Sequence, residues 1–409
     1  MRKMRERRLQ LSILALVIAV AVVVAGCGGG SSDSSESSGG EASLEKGSTF
    51  KVGYAASQTG RLAIFEQPFI KGLEMSVDKI NEEGGIGGKT KIELMTKDAK
   101  SDPSTGAVVA QELISEGAQF LITACDADTS LPASQLAQQN EIPVLNSCGS
   151  GSGLPAQVGD YQFMNVYGTE VEGEAMAEFA KAEGYENAYI MTSHDIEYTE
   201  SLMTAATNRF EELGGKILGT EEFKLDQPRY TTQATQIANG NPEVVITSIF
   251  LPASVTFLKN LRAAGYNGPV IGDDGQEGDE TFSAGPAAEN LYVFTFGFPS
   301  NDPAGQALAK WNEEYEQKYS EPPETVIAAL GGTAACLIDA SVSDANSTEP
   351  PKVRDAMANL ENTPCPTSKI TYKGQEGIPK ADVVVLKTNV PKKQYEFVKR
   401  FIPETVQNG

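Results

Sequence analysis

Strand-length apolar runs alternate with helix-length amphipathic stretches from Phe50 to Ile271, and no other feature constrains the fold as tightly. Residues 50–55 read as a strand. Ala63 to Glu82 reads as a helix, because Ile70, Leu73, Val77 and Ile80 repeat at the 3, 4, 3 spacing of one helix face. Gly84-Gly85 closes it. Asp102-Pro103 starts the next helix, with Asp capping free amides and Pro fitting the first turn. Strands at 91–96, 120–124 and 142–146, with a helix at 131–140, complete a repeated β-α-β unit. Strands joined through helices in this way run parallel in one sheet covered on both faces. The pattern restarts with helices at 172–183, 200–213, 230–238 and 254–264 among strands at 188–192, 216–223, 244–249 and 270–271. Helices at 304–319 and 326–341 follow. The predicted class is α/β, with two doubly wound parallel-sheet lobes.

The first 47 residues lie outside that pattern. Arg2, Lys3, Arg5, Arg7 and Arg8 precede a 15-residue apolar run, residues 11–25, broken only by Ser12. A spanning helix needs about 20 such residues, so residues 1–26 read as a cleaved secretory signal peptide. Val24-Ala25-Gly26-Cys27 resembles the bacterial lipobox, which implies cleavage before Cys27 and a diacylglycerol on its sulfur. Residues 27–47, almost wholly Gly, Ser, Glu and Asp, read as a flexible Gly/Ser tether. No later segment reads as apolar enough to span a bilayer. The expected location is extracytoplasmic, lipid-anchored to the bacterial membrane.

The chain carries a net charge of −22, which becomes about −26 without its first 26 residues. Such a surface repels phosphate backbones and excludes nucleic acid as a partner. The roughly 360 residues after the tether exceed what one core usually holds, so two lobes are expected. Cys125, Cys148, Cys336 and Cys365 are an even set, suited to pairing in an exported chain, although three connectivities are open. Cys125 and Cys148 each end a strand-like run, and neighbouring strands favour Cys125–Cys148 with Cys336–Cys365. With one histidine and no C-x-x-C pair, neither a metal site nor a cofactor is expected. Gly88-Lys89-Thr90 lacks the upstream glycine and the strand-to-helix order of a phosphate loop. Ser193-His194-Asp195 has the residue types of a hydrolase triad, but adjacent side chains cannot form its relay. No enzyme activity is expected.

Asn81-Glu82-Glu83-Gly84-Gly85-Ile86-Gly87-Gly88, Lys97-Asp98 and Asp102-Pro103 resemble the signature of branched-chain amino-acid (Leu/Ile/Val)-binding proteins of ABC importers. Ser57-Gln58-Thr59-Gly60, Pro132-Ala133-Ser134, Ile142-Pro143-Val144 and His194-Asp195 with Tyr198 extend the resemblance over about residues 49–390. It implies a type I periplasmic-binding fold whose lobes are joined by a three-crossover hinge, near Tyr167, near Phe296 and between Gln375 and Lys380. The N-terminal lobe would then hold residues 48–167 plus 297–377, and the C-terminal lobe 168–296 plus 378–409. Ligand would sit between the lobes at the carboxyl ends of the strands.

A zwitterionic amino acid needs donors for its carboxylate, an acid for its ammonium and an apolar wall. The resemblance places Thr129 and Ser130, at a helix start, on the carboxylate. It adds the Gly149 backbone and the Ser150 hydroxyl, and it sets Asp274 (or Asp273) against the amine. Tyr54, Phe65, Tyr198 and Phe250 would form the wall. Asp126 and Asp128 stand where the family usually has small polar residues. Either they point away, or the ligand's group at that end is not a carboxylate.

The resemblance implies a lipid-anchored, monomeric solute-binding protein. It would capture an amino acid or similar small polar metabolite and deliver it to an ABC permease in the membrane. A ligand-sensing receptor acting on a signalling partner is the alternative. The absence of a second membrane segment before Gly409 favours transport. The ligand could be an aliphatic amino acid, an amide, a polyamine, urea or an aromatic acid.

Overall fold

The computed structural model describes residues 44–404 apart from 225, 226 and 303. Residues 1–26, expected to be a signal peptide, and Cys27, the expected lipid site, lie outside the described residues. Of the tether expected over residues 27–47, only residues 44–47 are described, and these pack against the domain. Leu44 is buried in the core cluster that also holds Ile86, and the Gly47 N–H donates to the Lys89 carbonyl at 2.9 Å.

The first sheet is built by β1 (Thr49–Ala56), α1 (Ala63–Glu82), β2 (Lys91–Asp98), α2 (Pro103–Ser115), β3 (Phe120–Thr123), α3 (Ala127–Gln139), β4 (Val144–Asn146), α4 (Gly153–Val158) and β5 (Gln162–Met164). Its five strands are ordered β2-β1-β3-β4-β5, all parallel. Alternation along β1 explains the two covered faces. Phe50, Val52 and Tyr54 join the core that includes Phe69 and Leu73 of α1, and Ala55 joins Val109 and Leu113 of α2 with Ala133 of α3. Asp102 caps α2 as its sequence predicts, accepting from the Thr105 N–H at 2.7 Å.

The second sheet follows α5 (Thr169–Ala182) through β6 (Asn187–Thr192), α6 (Glu197–Glu212), β7 (Lys216–Glu222), α7 (Thr231–Gly240), β8 (Val244–Thr247), α8 (Ala253–Ala263), β9 (Val270–Gly272) and β10 (Leu291–Thr295). Short 3-10 turns fill Asp274–Gln276 and Asp279–Ala288. The chain then forms α9 (Gln306–Tyr319), α10 (Ile327–Ala345), α11 (Pro350–Ala358), a ladder of β11 (Thr363–Pro364) with β12 (Lys369–Ile370), and a final pair, β13 (Val383–Asn389) and β14 (Gln394–Phe401). The seven strands are ordered β14-β13-β10-β9-β8-β6-β7. The α/β class and the parallel pairing of β6 to β9 are as predicted; β10, absent from the sequence reading, pairs parallel with β9, and β13 is antiparallel to both β10 and β14, so this sheet is mixed.

One expectation about the membrane needs correcting. By length and composition, α10 is apolar enough to cross a bilayer, but most of it is buried inside the protein. Glycines let it approach α1 closely. A Cβ on Gly72 would lie 1.8 Å from the Ala328 carbonyl oxygen, and one on Gly331 would lie 2.2 Å from that of Phe69. It is a core helix.

Both predicted disulfides are formed, Cys125–Cys148 with Cα atoms 4.6 Å apart and Cys336–Cys365 at 5.8 Å. The first joins the ends of β3 and β4, which are adjacent in the sheet.

Candidate functional site

Open α/β sheets place ligands beyond the carboxyl ends of their strands. Six strands here end on one cavity of about 550 Å³, its mouth included. From the first sheet, the segment after β1 contributes Arg61, Leu62 and Phe65, that after β3 contributes Cys125 to Ala127, and that after β4 contributes Cys148 to Gly151. From the second sheet come Ile196 and Tyr198 after β6, Phe250 after β8, and Asp274 and Gly275 after β9. Ile327, at the start of α10, completes the lining.

The second-sheet wall is acidic. The Tyr198 hydroxyl lies 2.8 Å from Asp273 Oδ2 and 2.5 Å from Asp274 Oδ1, although it has one proton to give. Glu172, in the first turn of α5, accepts from the Asp274 backbone N–H at 2.8 Å. Glu172 and Asp273 are fully buried, and Glu172 Oε2 and Asp273 Oδ1 have no hydrogen-bond partner among the described residues. Burial drives both carboxyls well above the usual carboxylate range, and the neighbouring Asp274 adds to it. Asp274 is raised by burial too, against the Tyr198 donor. The aromatic part of the wall is a cluster in which Phe250 meets Phe65 and Tyr198 edge-on, at centroid distances of 6.2 and 6.3 Å.

The first-sheet wall is held by a buried carboxylate behind it. Glu66 of α1 accepts from the Tyr54 hydroxyl at 2.6 Å, the Ser57 N–H at 3.0 Å, the Cys125 N–H at 2.7 Å and the Ser147 hydroxyl at 2.8 Å. It thereby ties the ends of β1, β3 and β4 together. Glu66, Cys125 and Cys148 also bring one potential metal-ligand atom each within 4.8 Å of the others. Both sulfurs are spent in the disulfide, so this group does not fit a metal ion.

The sequence profile of the periplasmic binding protein family matches residues 49–394. The chain belongs to this family. Among curated relatives, the leucine-, isoleucine-, valine-, threonine- and alanine-binding protein of Pseudomonas aeruginosa is 22% identical over 329 residues, 80% of this chain and 87% of the relative. Among solved structures, the leucine binding protein LivK of Thermotoga maritima superposes with a TM-score of 0.78 at 22% identity, covering 87% of this chain and 99% of that one. A solute binding protein of R. palustris in complex with benzoate gives 0.76 at 20% identity, covering 87% and 97%. The Leu/Ile/Val-binding-like resemblance and the type I periplasmic-binding fold are thus what the comparisons return.

Of the residues expected to bind ligand in this periplasmic binding protein, Phe65, Gly149, Ser150, Tyr198, Phe250 and Asp274 line the cavity. Three do not. Tyr54 lies within β1 rather than at its end, fully buried, with its ring edge-on to Phe69 at 5.6 Å and its hydroxyl on Glu66. Thr129 and Ser130 were placed ahead of a helix starting near Leu131, but α3 starts at Ala127 and Asp126 is its cap. They therefore fall inside the first turn. The Ser130 hydroxyl is 2.6 Å from the Ala124 carbonyl and 2.7 Å from that of Asp126, and Thr129 Oγ1 meets only Arg61, at 3.4 Å.

The two aspartates of that loop have separate fates. Asp126 lines the cavity, accepts from the Thr129 N–H at 3.0 Å and pairs with Arg61. Asp128 instead faces Glu197 at the start of α6. Burial pushes Asp128 up, Asp126 adds to it, and the Glu197 backbone N–H opposes them. Burial, then Asp128 and Glu170, push Glu197 to about 6.

Arg61 and Glu172 were not anticipated from sequence. Arg61 follows β1 at its carboxyl end, where the general rule for open sheets could have flagged it. Glu172 reads as an ordinary acid favouring a helix N-terminus. Gly149 is needed for packing, since a Cβ there would lie 2.0 Å from the Cys125 carbonyl oxygen.

Proposed function

We propose that this chain captures an amino acid or similar small polar metabolite in the cleft and delivers it to a membrane permease. Two lobes, residues 48–167 plus 297–377 and 168–296 plus 378–409, would close on the solute by a hinge. A lipid on Cys27 would keep the cleft near the permease and raise its effective concentration there. The observation that carries the reading is the cavity itself, lined by segments that follow strands of both sheets. Contacts from both sides favour the closed arrangement by differential affinity. The names of relatives agree with an ABC-importer solute, for they include a branched-chain amino-acid binder and a benzoate complex.

Thermal unfolding of the purified chain against amino acids, amides, polyamines and aromatic acids tests this. A bound solute at a hundredfold excess over its Kd is expected to add about 2.7 kcal/mol to stability. A panel without any shift, accompanied by no heat of binding, would contradict it.

A further inference from the structure

Two walls of the cleft carry information about the solute beyond its size, and the argument rests on the solute-binding role proposed above. In this chain part of the anion-binding capacity of the α3 N-terminus is already used. The Asp126 carboxylate takes the Thr129 N–H at 3.0 Å and the Arg61 guanidinium, while the Ser130 hydroxyl reaches backbone carbonyls. The Gly149 N–H is given to Asn146 Oδ1 at 2.7 Å. A protein carboxylate thus sits at the helix start where an incoming one would be received.

The opposite wall calls for a cation. Asp274 lines the cavity, and Glu172 and Asp273 stand behind it, fully buried, each with an unpartnered oxygen. Asp273 Oδ1 would lie 3.5 Å from a Cβ on Gly275, a lining residue, so that oxygen is adjacent to the wall although Asp273 itself is not in the lining. Arg61 is the only basic residue in the lining, and it is paired with Asp126. A metal ion would need convergent ligands. Among the described residues the acids of this wall do not bring three ligand atoms within 4.8 Å of one another. Phe65, Tyr198 and Phe250 offer faces suited to an organic cation, and Leu62, Ile196 and Ile327 an apolar surround.

We propose that the solute is an organic amine with an apolar body and no carboxylate on the carbon that bears the nitrogen. A cation offsets the cost of ionising these buried acids, and a zwitterion would bring its own anion to a wall that already holds one.

The test is isothermal titration of the full chain with matched pairs: isoamylamine against leucine, phenethylamine against phenylalanine, and cadaverine against lysine. The amine of at least one pair is expected to bind at least tenfold more tightly than its carboxylated partner. Asp126→Ser keeps a capping oxygen on α3 and is expected to narrow that ratio at least tenfold. If compounds bind but no amine binds at least tenfold more tightly than its carboxylated partner, the amine assignment falls and the solute-binding role stands. If no member of any pair binds at millimolar concentration, the amine assignment falls, and the solute-binding role is decided by the wider panel above. An unchanged ratio in Asp126→Ser would also overturn the role given to Asp126.

Discussion

Replacing Glu66 with alanine is expected to destabilise the protein by about 3–5 kcal/mol, a loss at the high end for a single substitution. Glu66 is fully buried and answers four donors, two of them the backbone N–H groups of Ser57 and Cys125. A hydroxyl can turn to another acceptor, but a backbone N–H cannot. Each orphaned buried donor costs roughly 1–3 kcal/mol, and the side-chain cavity adds to that. A carboxylate is required because it accepts at both oxygens. In Glu66→Gln one oxygen becomes an amide NH2, a donor facing donors, so this variant should lose less than alanine and still fall below the parent. Burial raises the pKa of Glu66, and the Tyr54 and Ser147 hydroxyls with the Ser57 and Cys125 amides oppose it. Urea midpoints at constant m would measure the effect. A loss under about 1 kcal/mol would mean that water replaces the carboxylate, and that Glu66 does not hold the strand ends together.

The second large effect concerns binding. Asp274→Ala should weaken capture of an amine by at least about 30-fold, because truncating one partner of a buried charge pair costs about 2–5 kcal/mol. The fold should persist, since Asp274 shares its wall with Glu172 and Asp273. Acidity supplies an independent reading of the same wall. Glu172, Asp273 and Asp274 are held above the usual carboxylate range, each by burial first. The Tyr198 hydroxyl donates to Asp273 and Asp274, and Glu172 and Asp274 act on one another. The raised pKa values favour the protonated forms, and a bound cation favours the ionised ones. Affinity for an amine should rise with pH as they ionise, by at most about tenfold per pH unit for each proton released. The empty protein has the opposite sign. Stability from the raised pKa values is complete below the unfolded carboxylate range and is lost as pH rises through the folded values. Titration from pH 5 to 8, where the amine itself stays charged, would follow both. Binding that strengthens toward acid would contradict the arrangement.

Much of the architecture was legible because it depends on local pattern. The spacing of Ile70, Leu73, Val77 and Ile80 located α1, and Asp102-Pro103 located the start of α2. The pairing of Cys125 with Cys148 followed from their places at the ends of adjacent strands. Legibility failed where several residues competed for one local role. Asp126 and Asp128 can each cap a helix, and Pro132 suggested a first turn although it lies well inside α3. That displacement takes Thr129 and Ser130 out of the cavity lining and into the first turn of α3. Tyr54 failed for another reason: its partner Glu66 comes from a different element, and no spacing announces the bond. The β13–β14 pair has few turn signals besides Pro391, and the 3-10 segments after β9 are interrupted by Gly275, Gly278 and Gly285. In the site, chain order announced Asp274, but Glu172 joins it from 102 positions away.

The central claim is that a solute is held between the two sheets and draws them together. Val108 on α2 and Leu218 on β7 are exposed, one on each sheet's layer, and can carry spin labels in a Cys27→Ser chain. Pulsed dipolar spectroscopy would then give the distance between the layers with and without the tightest-binding amine of the matched pairs. The account predicts a shorter and narrower distribution when that amine is bound. An unchanged distribution, with binding verified by titration on the same sample, would contradict it.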